Sequence, residues 1–317
     1  MAPALVPPLD PGQPGRTLIV ARTVQVRDRK TGELLTEPVS GASLVALARI
    51  PLLGIFFRWL LFDLGIVSSF MGWLADCSFS RAFIPRFIRV QGIDVSELSD
   101  PVESYPSLNA FFTRRLIRDF TVAAENGTAR LRSPADGCVL AFCGHRIADS
   151  IRVKHSVIDI GNLVGPNALG FLAGGENNLE FDVFIIRLAP KDYHRFHFPC
   201  AGRLVDFFDI PGGLLPVHPA ALAAFSRVHT VNHRHVSCLD GEFGRFVQVE
   251  VGAFGVGAIR QTHSGEKFKA LDEKGLFRVG GSTVILVLPS GAVQAEADLL
   301  RSSHDGIETR LRVGDWL

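Results

Sequence analysis

The chain lacks an excess of either charge sign: 33 Lys and Arg face 32 Asp and Glu across 317 residues. Bulk charge therefore provides no footprint for nucleic acid. It also lacks paired cysteine motifs. Cys77, Cys138, Cys143, Cys200 and Cys238 are odd in number, scattered and without a C-x-x-C pair, which excludes a disulfide framework and points to reduced thiols in a cytosol-facing protein. Residues 1–16 are proline-rich and carry neither the apolar core of a secretory signal nor an Arg-rich amphipathic transit pattern, so they are expected to form a disordered lead-in. A spanning helix needs roughly 20 predominantly apolar residues, and the longest uncharged stretch of the apolar region, Leu64 to Ala75, falls short. Repeats, heptads and a P-loop are missing too. The glycines of 252–257 lie between two strand-like runs with no helix to receive a phosphate.

What is present is apolar. Only 21% of residues are charged and the mean hydropathy is +0.24, so the surplus lies in a large core or against a membrane. It is concentrated from Ala42 to Ala75, where Phe56, Trp59, Leu60, Val67, Phe70 and Leu74 fall close to i, i+3, i+4 spacing and predict one apolar helical face. Arg49, Pro51, Arg58 and Asp63 interrupt it. Ser80 to Arg89 then alternates aromatic and basic residues. Apolar wedges flanked by Arg81, Arg86 and Arg89 suit the headgroup layer of an anionic leaflet; the alternative is a helical pair capping the core with its arginines in water.

Residues 17–40 read as two short strands around a turn at Lys30-Thr31-Gly32. From about Arg132 the texture changes to β-branched and aromatic runs broken by Gly, Pro and Asp: 137–142, 182–188, 202–208, 246–253, 256–260 and 283–288. The expected fold is α+β, with N-terminal membrane-associated helices followed by a mainly antiparallel, barrel-sandwich-like β core and a few helices. The expected division is 1–16 lead-in, 17–131 N-terminal region and 132–317 catalytic domain.

Three polar constellations stand out. Asp136 ends the turn Ser133-Pro134-Ala135-Asp136-Gly137 just before a strand. His194 and His197 lie between aromatics in Tyr193-His194-Arg195-Phe196-His197-Phe198-Pro199. Ser282 follows Gly280-Gly281 at the head of an apolar run. Alone, each reads as turn chemistry or a satisfied core histidine. Together they supply an acid, a base and a hydroxyl, the groups that nucleophilic activation of serine requires. His229, His233 and His235 also cluster, but no acidic or cysteine partner recurs at ligand spacing, so no metal is expected. A G-x-S-x-G elbow is absent, which opposes an intact serine hydrolase.

The Asp-Gly turn, the Tyr-His-Arg-Phe-His-Phe-Pro run and Gly-Gly-Ser-Thr, with Ser107–Leu116 and Val251–Gly257, resemble the phosphatidylserine decarboxylase family from about residue 17 onward. Two departures are a Gly where many members have Leu before the scissile Gly-Ser, and His233 where an acidic residue is common. The resemblance implies autocatalytic cleavage at Gly281-Ser282 into a β chain, 1–281, and an α chain, 282–317, that remain associated. It further implies a pyruvoyl cofactor made from Ser282, which takes up the electron pair released as phosphatidylserine loses carbon dioxide. Asp136 and His197 would activate Ser282, and His194 would reprotonate the substrate carbon. Arg114 and Arg115 would serve either the substrate phosphate or the fold. An anionic phospholipid membrane as partner, a homodimer of αβ units and the cytoplasmic face of a bacterial membrane complete the expectation. A pyruvoyl enzyme acting on another amino-headgroup lipid or a soluble amino acid is the alternative; a non-enzymatic membrane-binding protein is a further one.

Overall fold

The computed structural model describes residues 23–38, 45, 62, 66–120, 130–175, 179–254, 259–280 and 282–317. Its frame is one ten-stranded sheet. The strands in chain order are β1 (Thr23–Asp28), β2 (Leu34–Pro38), β3 (Gly137–Arg146), β4 (Ser150–Val153), β5 (Ser156–Asp159), β6 (Glu180–Leu188), β7 (Arg195–His197) and β8 (Gly202–Ile210). They continue with β9 (Arg234–Gly241), β10 (Gly244–Gly252), β11 (Ile259–Gln261), β12 (Lys267–Phe268), β13 (Glu273–Phe277), β14 (Ser282–Pro289) and β15 (Glu308–Leu311). The large sheet runs β12-β8-β9-β10-β14-β6-β3-β15-β1-β2, and β11-β13-β7 forms a smaller one. Pairing is antiparallel throughout the large sheet except between β1 and β15. The fold is thus mixed helix and sheet around a large antiparallel core, and β1 and β2 of the N-terminal region are bonded into that core.

Strand alternation assigns the faces. Val247, Val249, Val251, Ile285 and Val287 face the helix α4 (Ile160–Ala173, preceded in the chain by α1 to α3), whose Ile160, Leu163, Val164, Ala168 and Leu172 cover them. This helix starts at an Asp159 cap, which accepts the N–H of Asn162 at 2.7 Å. The opposite face, with Val284, Leu286, Leu288, Phe184 and Ile186, packs on the smaller sheet through Phe196, Ile259 and Phe277. Gly275 is required there, since a Cβ would lie 2.4 Å from the Arg260 carbonyl oxygen.

Ahead of the sheet lie α1 (Ile66–Asp76), α2 (Ile84–Gln91) and α3 (Leu108–Phe112). Ser107 caps α3 by accepting the Ala110 N–H, and Ser80 Oγ accepts the Leu108 N–H at 2.8 Å. The apolar helical face predicted over 42–75 is described only in part: Phe56, Trp59 and Leu60 lie outside the described residues, while Phe70 and Trp73 are 55% and 59% exposed on α1. Among the described residues no helix is long and apolar enough to cross a membrane.

Candidate active site

The site lies between the two sheets. Ser282 opens β14 and is paired on both sides, with Gly252 of β10 and Leu188 of β6. Its side chain points to the face shared with Val284 and Leu286, is fully buried, and its Oγ has no hydrogen-bond partner among the described residues. Gly281 lies outside the described residues. Gly280 has φ of 143°, a backbone that a Cβ would strain.

His194 and His197 come from the segment that leaves β6 and forms β7. The N–H of Phe277 donates to His194 O at 2.8 Å, and the N–H of His197 donates to Pro134 O at 2.8 Å. These two bonds tie the histidines to the strand before Ser282 and to the turn before Asp136. The His194 ring lies 3.8 Å from Phe112, and the His197 ring 4.8 Å from Phe120. Each Nδ1 donates to a carbonyl, Asp192 O at 2.9 Å for His194 and Leu271 O at 2.8 Å for His197. A proton on Nδ1 leaves Nε2 as the free base, and both Nε2 atoms are buried without a partner among the described residues. Burial, reinforced by the Arg114 charge, pushes His194 down to about 3. Burial also lowers His197. Both rings are therefore neutral at physiological pH, with the lone pair available.

Asp136 is buried and accepts Nη1 of Arg118 on both oxygens at 2.8 Å, and the Val313 N–H at 2.8 Å. Burial raises its pKa, and Arg118 acts against that rise. The carbonyl of Leu271, rather than this carboxylate, orients the His197 ring. A cavity of about 180 Å³ opens beside Asp136, lined by Arg114, Arg118, Asp192, Tyr193 and Arg310 among others; neither histidine nor Ser282 lines it.

The two candidate arginines part company. Arg114 is buried, with Nη2 donating to Lys191 O at 2.7 Å and Asp192 O at 3.1 Å, while Nε and Nη1 have no hydrogen-bond partner among the described residues. Arg115 points outward, 67% exposed, and lies 3.9 Å from Glu273. Sequence reasoning missed Arg118, the cation on Asp136; its only signal was its place in an arginine-rich stretch.

The histidine cluster gains an acid that sequence spacing did not reveal. Asp209 of β8 is opposite His235 and lies 2.6 Å from Nε2 of His233. Gln261 donates to Nδ1 of His235, which leaves the proton on Nε2, the atom facing Asp209. That tautomer opposes a metal at this nitrogen.

A buried serine at a strand head, two buried neutral histidines and a cation-held carboxylate are the kinds of group that nucleophilic attack by a hydroxyl uses. A family model described as phosphatidylserine decarboxylase matches residues 108–315. Relatives named phosphatidylserine decarboxylase proenzyme include one from Chlamydia felis, 34% identical over 93% of this chain and 98% of its own. One from Chlamydia pneumoniae is 37% identical over 80% and 82%, and one from Ruminiclostridium cellulolyticum 32% over 92% and 96%. The chain belongs to the phosphatidylserine decarboxylase family.

Proposed function

We propose that the chain is the precursor of a pyruvoyl-dependent decarboxylase that converts phosphatidylserine to phosphatidylethanolamine and carbon dioxide. The observation that carries this reading is the fully buried Oγ of Ser282 at the head of β14, without a partner among the described residues, with Gly280 two residues earlier in a conformation that favours glycine. A buried polar group without a partner costs about 1–3 kcal/mol, and such groups are retained where chemistry uses them.

In the maturation step Nε2 of His197 takes the proton of Ser282 Oγ as Oγ bonds to the Gly281 carbonyl carbon. The peptide C–N bond breaks and its nitrogen takes the proton, leaving an ester. Loss of the α-hydrogen of residue 282 then breaks the Cβ–O bond and releases Gly281 as a carboxylate; hydrolysis expels ammonia. Asp136, whose burial-raised pKa Arg118 opposes, is assigned to offset the charge on His197. The buried Ser282 Oγ and the two buried Nε2 atoms, without partners among the described residues, fit a pyruvoyl group at this position. That group supplies a carbonyl that acts as an electron sink. His194, neutral and with Nδ1 tied to Asp192 O, takes a proton at Nε2 and returns it to the substrate carbon. Arg114 is assigned to an anionic part of the substrate, by its two unpartnered nitrogens.

Residues 282–317 contribute β14 and β15, both hydrogen-bonded to strands of 1–281, so the two chains stay together after the cut. Phe79 and Phe83, 56% and 52% exposed, lie with Phe70, Trp73, Arg81, Arg86 and Arg89 ahead of the catalytic domain that begins near residue 132. They are assigned to peripheral binding of an anionic leaflet, on the cytoplasmic face of a bacterial membrane, by αβ units that pair as a homodimer. The test is carbon dioxide release from phosphatidylserine vesicles against free serine, with flotation on the same vesicles. Turnover of the lipid with co-flotation is expected. Activity on the free amino acid without vesicle binding would favour a soluble-substrate enzyme instead.

A further inference from the structure

The four residues between the two fixed points of the scissile strand are 278–281. At one end the Phe277 N–H is bonded to His194 O; at the other Ser282 is held in β14. Between them, two residues from outside the sheets grip the chain. The Val279 N–H donates to Oδ1 of Asn109 at 3.0 Å, and Nδ2 of Asn109 donates to Oδ1 of Asp76 at 2.7 Å. The second carboxylate oxygen of Asp76 pairs with the Arg278 guanidinium. One amide thus accepts from the backbone and donates to a carboxylate, which fixes its orientation. Asn109 is buried on α3 and Asp76 is the last residue of α1. Burial raises the Asp76 pKa, but the bonds from Arg278 and Asn109 outweigh it, and the carboxyl ends below its ordinary value.

We propose that Asp76 and Asn109 are positioning residues for self-cleavage, a clamp that holds 278–279 so that the Gly281 carbonyl is presented to Ser282 Oγ. The inference rests on the cleavage reading given above. Attack on the preceding carbonyl needs one backbone arrangement at 280–281, where glycines offer many. Fixing a residue costs about 1–2 kcal/mol of conformational entropy, and a clamp that meets this cost in the folded precursor raises the population ready to react. Once the bond is cut, the clamp holds only the end of the β chain, while residue 282 stays in β14. Its loss should therefore slow maturation far more than turnover.

The experiment follows cleavage by intact mass after rapid purification of wild type, Asn109→Ala and Asn109→Asp, with the thermal midpoint and the turnover per matured chain of each. Asn109→Ala should cleave roughly tenfold or more slowly, with turnover per matured chain reduced far less and the midpoint little changed. Asn109→Asp keeps the acceptor for Val279 but faces Asp76 with a second carboxylate. It should be slow at neutral pH and recover toward the wild-type rate as acid lets one carboxyl donate to the other, a recovery that a purely structural role does not produce. Wild-type cleavage kinetics in Asn109→Ala overturn the clamp, as does an equal loss of turnover or midpoint. A wild-type chain that stays whole fails at the first measurement and overturns the cleavage reading, and the clamp with it.

Discussion

The carbonyl of His194 accepts the N–H of Phe277 at 2.8 Å, so this histidine moves with the strand that leads into Ser282. His197 lies in β7, which pairs with the same strand, and is tied further to Pro134. The two rings differ in what holds them, Asp192 O for His194 and Leu271 O for His197, and separate roles are predicted for them. His194→Ala should mature and then lose roughly 10²–10⁴ in turnover, the range of a general acid. His197→Ala should remain uncut. Gel analysis of both variants beside a carbon dioxide assay checks this; an uncut His194→Ala would reverse the assignment.

Arg118 places Nη1 on both oxygens of Asp136, and without it burial alone would raise the carboxyl further. Arg118→Ala should mature about tenfold or more slowly at neutral pH and recover as pH rises and the carboxyl ionises. Arg118→Lys should recover part of the rate. Maturation rates from pH 6 to 9 test this, and a loss independent of pH would assign Arg118 to folding alone.

Burial lowers His194 from 6.5 to about 3, and His218, His229 and His235 to about 4. Unfolding returns each to its ordinary value, so the unfolded chain binds more protons below pH 6.5. The associated stability is present above that pH and is lost progressively as pH falls toward 4 and then 3. The thermal midpoint should drop by at least roughly 5 °C between pH 6.5 and 5. His197 is lowered in the same direction, so His229→Gln should remove roughly a fifth of the slope. A midpoint flat across this window would contradict the neutral, buried state of these rings.

Phe70 and Trp73 stack at 5.8 Å on the exposed side of α1. The double variant Phe70→Ser, Trp73→Ser should weaken binding to anionic vesicles by about tenfold or more, from the apolar area no longer buried. Flotation and Trp73 fluorescence measure it; unchanged binding would move the contact elsewhere.

Much of this was legible. The strands expected at 137–142, 182–188, 202–208, 246–253 and 283–288 form within a few residues of those limits, because alternation and turn residues agree locally. For the run at 256–260, residues 255–258 lie outside the described set and β11 starts at Ile259. The helix α4 escaped notice because Gly161, Gly165, Pro166 and Gly170 mask an apolar stripe that repeats every three or four residues. Asp136, His194, His197 and Ser282 could be chosen by type. Their partners could not: Leu271 O and Asp192 O are backbone groups that any residue supplies, and Asn109 reaches Val279 across 170 positions.

The most direct test is the intact mass of purified protein. Two chains broken between Gly281 and Ser282 are expected, the smaller one lighter by one ammonia than a peptide beginning with serine. A single chain of 34.5 kDa that persists in folded protein would contradict self-cleavage at this bond.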